Sequence, residues 1–193
     1  MLEAHLLGRG IERACYRDPV DPERCFKVSE KTSCRQTKRD IVFFERLARL
    51  GIESSYVPKY LGAFETETKI GFFQECFARP GVRPLSEFMA QCSREALLRT
   101  DLALWEMRGE LIEKNIVAID VHPDNILVVP TGPTDADFRL VLIDGYGTPE
   151  FIPLPYWFRA LGRRKIDRYW TNHFMKRLAH CRAEIARRAK TRG

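Results

Sequence analysis

A seven-residue stretch with two prolines and a glycine, Ala78-Arg-Pro-Gly-Val-Arg-Pro84, separates a strand-like first part of this chain from a mainly helical remainder. Proline offers no backbone donor and fixes its own φ, so neither a strand nor a helix runs comfortably through such a segment. It is predicted to link two lobes, residues 1–77 and 85–193, with 78–84 between them. A chain of 193 residues holds one large domain or two small lobes, and no conventional multidomain enzyme.

The first lobe reads as strands and turns around one helix. Residues 3–8 and 12–17 pair across Arg9-Gly10, and Asp18-Pro-Val-Asp-Pro22 forms a turn. Cys25–Val28 is a short strand with Lys27 set between apolar neighbours. From Ser33 the period becomes helical, with Ile41, Phe44 and Ala48 on one face and Gly51 placed to end the helix. Strands near 59–66 and 69–77 follow, joined at Glu67-Thr68. The expectation is a small antiparallel sheet covered by a single helix.

In the second lobe, residues 87–91 form a short helix, and Ser93 or Thr100 caps a longer one running to Asn115. Leu98, Leu102, Trp105 and Ile112 make one apolar stripe, widened by Leu97, Leu104 and Leu111, which predicts burial in a core. Two β segments, 125–129 and 138–143, flank a polar turn at 130–134. The fold class is therefore α+β.

Composition removes several function classes. Apolar residues at 45% and charged residues at 30% are a globular balance, not a disordered one. No run approaches the roughly eighteen apolar residues of a membrane span. The first ten residues contain Glu3 and His5 and lack a signal-peptide core, so a cytoplasmic protein is expected. Six cysteines, Cys15, Cys25, Cys34, Cys76, Cys92 and Cys181, include no C-x-x-C pair, which predicts free thiols over a zinc or disulfide framework.

The net charge of +6 is uneven. Residues 159–193 hold twelve Arg and Lys against Asp167 and Glu184, so the preceding 158 residues carry a net −4. That asymmetry speaks against nucleic-acid binding as the main identity. Ile166, Trp170, Phe174, Leu178, Cys181 and Ile185 follow helical spacing. A basic C-terminal helix from about 159 either packs on the second lobe with a solvated cationic face or meets anionic lipid, nucleic acid or a phosphorylated substrate. Arg163-Arg164-Lys165 and Arg187-Arg188 are its candidate contact clusters.

Chemistry concentrates in Ile119-Asp-Val-His-Pro-Asp-Asn-Ile-Leu-Val128 and in Leu142-Ile-Asp-Gly-Tyr-Gly147. Together they set Asp120, Asn125 and Asp144 at the ends of a small β ribbon. Hard oxygen donors on a rigid ribbon suit Mg²⁺, which takes one or two carboxylates and completes its shell with water and phosphate.

Asp120-x-x-x-x-Asn125 followed by Asp144-Gly-Tyr-Gly resembles the catalytic and metal-binding loops of the protein-kinase-like superfamily, in the aminoglycoside-phosphotransferase style of His122-Pro-Asp-Asn125. More narrowly, the chain resembles the YrbL-type family, the PhoP regulatory network proteins of bacteria, through 39–45, 60–65, 116–120 and Ile152-Pro-Leu-Pro-Tyr-Trp157. The resemblance implies a bilobal kinase-like fold with a shortened C-terminal lobe, using ATP and Mg²⁺. By the same resemblance Lys27 contacts the nucleotide phosphates and Glu45 pairs with it. Asp120 orients or deprotonates the acceptor hydroxyl, and Asn125 and Asp144 hold the metal. Residues 74–77, with Glu75 and Phe77, form the hinge that meets adenine, and Gly8 and Gly10 belong to a glycine-rich loop.

The pattern departs in places. Arg13 stands where the third glycine would be, so Gly8-Arg-Gly10 is equally a plain tight turn, and Arg13 itself is a candidate phosphate contact. Ala118 replaces the usual histidine, Tyr146 replaces a glycine, and no A-P-E-like segment follows Asp144. The implied functions are a phosphotransferase acting on an unidentified hydroxyl acceptor, a nucleotide-binding regulatory pseudokinase without turnover, or, more distantly, a nucleic-acid or membrane-surface binder acting through the basic tail.

Overall fold

In a computed structural model that describes residues 2–148 and 154–190, the chain is α+β and divides into two compact units. The first comprises Met1–Glu53 and Pro58–Pro80, the second Ser54–Val57 and Gly81–Gly193. Ile152 and Pro153 of the motif noted above, and the end of the basic tail at 191–193, lie outside the described residues.

In the first unit, β1 (Leu6–Arg9), β2 (Ala14–Arg17), β3 (Arg24–Glu30), β4 (Tyr60–Glu65) and β5 (Lys69–Glu75) form one antiparallel sheet in the order β1-β2-β3-β5-β4. Alternation along β3 buries Cys25, Lys27 and Ser29 on one face. The helix α1 (Arg35–Arg49) lies on that face through Phe43, Phe44 and Leu47, with the Phe44 ring 5.4 Å from those of both Tyr60 and Phe72. Gly51 ends the helix as its position predicts. It takes φ +61°, its amide donates to Ala48, and the Ile52 amide donates to Leu47 at 2.9 Å.

In the second unit, β6 (Arg83–Pro84), β7 (Ile126–Pro130) and β8 (Phe138–Leu142) form a three-stranded antiparallel sheet. Around it run α2 (Leu85–Met89), α3 (Arg94–Glu113), α4 (Leu154–Trp157), α5 (Arg159–Tyr169) and α6 (Met175–Lys190), with a π-helical turn at Trp170–Phe174 between the last two. Ser93 is the cap of α3, its hydroxyl accepting the Ala96 amide at 3.1 Å. Segment 54–57 docks on β8, where the Tyr56 carbonyl accepts the Leu142 amide and the Ser55 carbonyl accepts Arg139.

The stripe expected to bury α3 holds for Leu104 and Leu111 and is corrected for the rest of its large side chains. Leu98 and Trp105 are 65% and 68% exposed and Leu102 is exposed as well, whereas Ala96, Thr100, Ala103, Leu104, Met107 and Leu111 face inward. The helix is apolar on two sides, and its smaller side chains give the closer approach to neighbouring elements. The tail helix follows its predicted face. Ile166, Trp170, Phe174 and Leu178 are buried, while Cys181 and Ile185 are half-buried.

Candidate functional site

The most constrained part of the second unit is the meeting of two loops. Just past the end of α3 comes Asn115, a buried residue at φ +52° whose side-chain amide donates to the Pro155 carbonyl at 3.0 Å. The chain then runs through buried Ile116, Val117 and Ala118 into Asp120. Beside it lies the loop after β8. The Gly145 carbonyl accepts the amides of Ile119 at 2.9 Å and Asp120 at 3.2 Å, and the Gly147 amide donates to Val117 at 2.9 Å. Gly145 has φ +89°, and a Cβ there would collide with the Asp120 backbone. Ala118 and Tyr146 form a β bridge, and the Tyr146 ring is wholly buried with its hydroxyl donating to the Leu142 carbonyl. The small residue and the large one fill a single space between the loops.

The three candidate side chains leave this junction from rigid points. Asn125 closes a 3₁₀ turn, Pro123–Asn125, whose start is capped by His122 Nδ1 accepting the Asp124 amide at 3.1 Å. The Asn125 amide group donates to the Asp120 carbonyl at 3.3 Å, and its own carbonyl accepts the Ile143 amide at 2.8 Å. Asp144 accepts the Gly145 amide at 2.6 Å, which orients its carboxylate. Asp120 is exposed, and its Oδ1 accepts Arg177 Nη1 from α6 at 2.5 Å; Arg177 also donates to the Val121 carbonyl at 3.2 Å. A cleft of about 410 Å³ adjoins this pair, lined by Ser86, His122, Asp124, Lys176, Arg177 and Glu184 among others.

Asn125 and Asp144 fit a hard cation. With its nitrogen on a backbone carbonyl, the Asn125 side chain keeps an amide oxygen, and Asp144 a carboxylate, the hard oxygen donors such a cation takes.

In the first unit, Lys27 is only 6% exposed, with Cys15 and Phe72 as its cross-strand neighbours. Glu45 lies on the exposed face of α1, and the buried carboxylate of that helix is Asp40, at 0% exposure. Arg13, a candidate phosphate contact from the sequence, instead binds Asp40 at 2.5 Å and is itself buried. Glu12 beside it accepts the Gln36 amide in the first turn of α1 at 2.5 Å. Gly8 and Gly10 are exposed, and the Gly10 amide donates to the Arg13 carbonyl at 2.8 Å, the geometry of a tight turn fastened to the helix.

At the proposed hinge, the amides of Glu75 and Cys76 donate to Lys59 and Glu23, continuing the ladder, and Phe77 is buried. Gln74 is buried with its Oε1 unpartnered among the described residues. An orphan acceptor of this kind favours a ligand that donates to it.

The basic tail is partly consumed internally. Lys165 is buried and donates to Thr148 at 2.7 Å, so it leaves the surface cluster expected at 163–165, where Arg163 and Arg164 are exposed. Arg182 pairs with Asp101 and Arg108 with Asp167, tying α6 and α5 to α3. Sequence spacing carried no sign of the Asp40–Arg13, Lys165–Thr148 or Arg177–Asp120 pairings, because each partner is distant along the chain. Among the described residues no three His, Cys, Asp or Glu side chains gather as a metal cluster, and no helix is long and apolar enough to cross a membrane.

The family described as "PhoP regulatory network protein YrbL" matches residues 1–179. The chain is 28% identical over 171 residues to "Uncharacterized protein YrbL" of Escherichia coli (strain K12), covering 85% of this chain and 80% of that protein. The protein of the same description from Shigella flexneri matches with the same identity and coverage.

Proposed function

We propose, from the premise that this chain belongs to the family of the PhoP regulatory network protein YrbL, an ATP- and Mg²⁺-dependent phosphotransferase of the kinase-like superfamily acting on a hydroxyl acceptor. The observation that carries the proposal is the loop junction. One carbonyl, that of Gly145, takes the amides of Ile119 and Asp120, so the loops bearing Asp120, Asn125 and Asp144 are fixed to each other. Phosphoryl transfer asks the protein for alignment and charge neutralisation far more than for covalent chemistry.

In this scheme Asn125 and Asp144 hold Mg²⁺, which when bound neutralises charge on the β- and γ-phosphates. Asp120 orients the acceptor hydroxyl and takes its proton as the acceptor oxygen bonds to the γ-phosphorus and ADP leaves. Lys27 contacts the nucleotide phosphates from β3, and the backbone from Glu75 to Phe77 meets the base with Gln74 as an added acceptor. The exposed position of Glu45 makes Asp40, through Arg13, the carboxylate that organises α1 on the sheet. The β1–β2 hairpin, which carries Gly8 and Gly10, is fastened to α1 through Glu12 and Arg13.

A second function, a nucleotide-binding regulator without turnover, is favoured by one observation: Arg177 occupies Oδ1 of the carboxylate that has to receive the proton. Asp120→Ala separates the two. A phosphotransferase loses transfer of labelled γ-phosphate by roughly a hundredfold or more while retaining ATP binding. A regulator shows ATP binding and no transfer in either protein.

A further inference from the structure

Leu154-Pro-Tyr-Trp157 and the arginines that follow it form a surface that the phosphotransferase reading leaves unused. Helix α5 is pressed onto the end of α3. A Cβ on Gly162 would collide with the Asn115 side chain and the Pro155 carbonyl, and Arg159 donates to the Glu113 carbonyl at 2.5 Å. Gly162, Lys165 and Ile166 therefore face inward, and the other sides of the helix stay at the surface. Helix α4 divides in the same way, with Pro155 buried and Leu154 and Trp157 exposed. Four large apolar side chains, Leu154, Trp157, Phe158 and Leu161, are thus left in water where the two helices meet. Trp157 is 66% exposed and Phe158 56%. The Phe158 amide donates to the Leu154 carbonyl at 2.9 Å, which holds this corner in shape.

The charge beside these side chains is of one sign. A hollow of about 550 Å³ sets Leu154 and Leu161 beside Arg164 and Arg168, which follow Leu161 at helical spacing on one flank of α5. Arg163 and Arg164 are exposed, and neither they nor Arg168 has a carboxylate partner among the described residues. Asp167, the acid that borders the hollow, is taken by Arg108, and Lys165 turns inward to Thr148. On α6, by contrast, Arg177, Arg182 and Arg187 are paired with Asp120, Asp101 and Glu184. The cations left for an outside partner are those next to the exposed rings.

We propose that the corner of α4 and α5 docks on an anionic lipid surface, with Leu154, Trp157, Phe158 and Leu161 entering the headgroup region and Arg163, Arg164 and Arg168 meeting lipid phosphates. Aromatic rings and leucines settle at the boundary of headgroup and acyl chain, where an amphipathic surface buries its apolar side. The negative potential of an anionic leaflet draws the arginines, and each grips a phosphate through two parallel hydrogen bonds. Nucleic acid offers the same phosphates but no acyl boundary, so the leucines would gain nothing from it. The inference does not depend on nucleotide binding.

The test is co-sedimentation of the full chain with phosphatidylcholine vesicles, prepared with and without phosphatidylglycerol. Binding to the mixed vesicles is expected to be tighter by roughly tenfold or more. Trp157→Ala combined with Phe158→Ala should weaken it by roughly tenfold or more, as should Arg163→Gln combined with Arg164→Gln. Trp105→Phe, which removes the exposed indole of α3, should bind as wild type does. That variant keeps only Trp157 and the buried Trp170. Its emission should shift to the blue on adding mixed vesicles and be quenched by brominated lipid, a result that stands even if the aromatic double variant does not fold. Absent binding, equal binding to the two kinds of vesicle, binding that survives loss of both rings, or emission that brominated lipid does not quench overturns the proposal. Binding to duplex DNA with none to vesicles overturns it in favour of a nucleic-acid surface.

Discussion

The carbonyl of Gly145 accepts the amide of Asp120 at 3.2 Å, and at φ +89° Gly145 leaves no room for a side chain against the Asp120 backbone. Gly145→Ala is therefore expected to cost at least about 1–2 kcal/mol from the left-handed backbone alone, with the collision added to it. Urea denaturation measures the loss. Gly109→Ala is the control, since that helical glycine has open space at its Cβ position; it should be neutral or slightly stabilising.

The two apolar faces of α3 make a sharp pair of expectations. Leu111→Ala removes a wholly buried side chain and should cost about 2–5 kcal/mol. Leu102→Ala, on the exposed face, should change stability by no more than about 0.5 kcal/mol. Thermal and urea midpoints of both variants check this, and equal costs would restore the face expected from the sequence.

Asp18 supplies a pH dependence. Its carboxyl lies below the usual range, first because the Val20 amide donates to it at 2.8 Å, then because Arg24 Nε does so at 2.7 Å, against some cost of burial. With the folded pKa below an unfolded value of about 3.9, the stability it adds is fully present above that value and is lost as pH falls through the folded one. Asp18→Asn is expected to lower stability at pH 7 by about 1–2 kcal/mol. The gap from wild type should narrow as urea denaturation is repeated below pH ~4.

Local signals were legible in the sequence because their causes are local. Gly51 ends α1, Ser93 caps α3, and β4 pairs with β5 across Glu67-Thr68, whereas the first hairpin keeps Arg9 in its strand and turns between Gly10 and Arg13, later than Arg9-Gly10. The buried face of α3 was not legible, since Leu98, Leu102 and Trp105 are as apolar as the side chains that the neighbouring elements cover. Arg13 with Asp40, Lys165 with Thr148 and Arg177 with Asp120 were hidden for another reason. A polar side chain declares its partner only when folding brings the two together.

The central claim is tested most directly by transfer of labelled γ-phosphate from ATP with Mg²⁺, to water, to the protein itself or to a lysate, comparing wild type with Asp144→Ala. Transfer by the wild type, reduced by roughly a hundredfold or more in the variant with its fold intact by circular dichroism, is the expected result. Absence of both transfer and ATP binding in the wild type, the latter measured by thermal shift, would contradict the account and leave the loop junction without a nucleotide to serve.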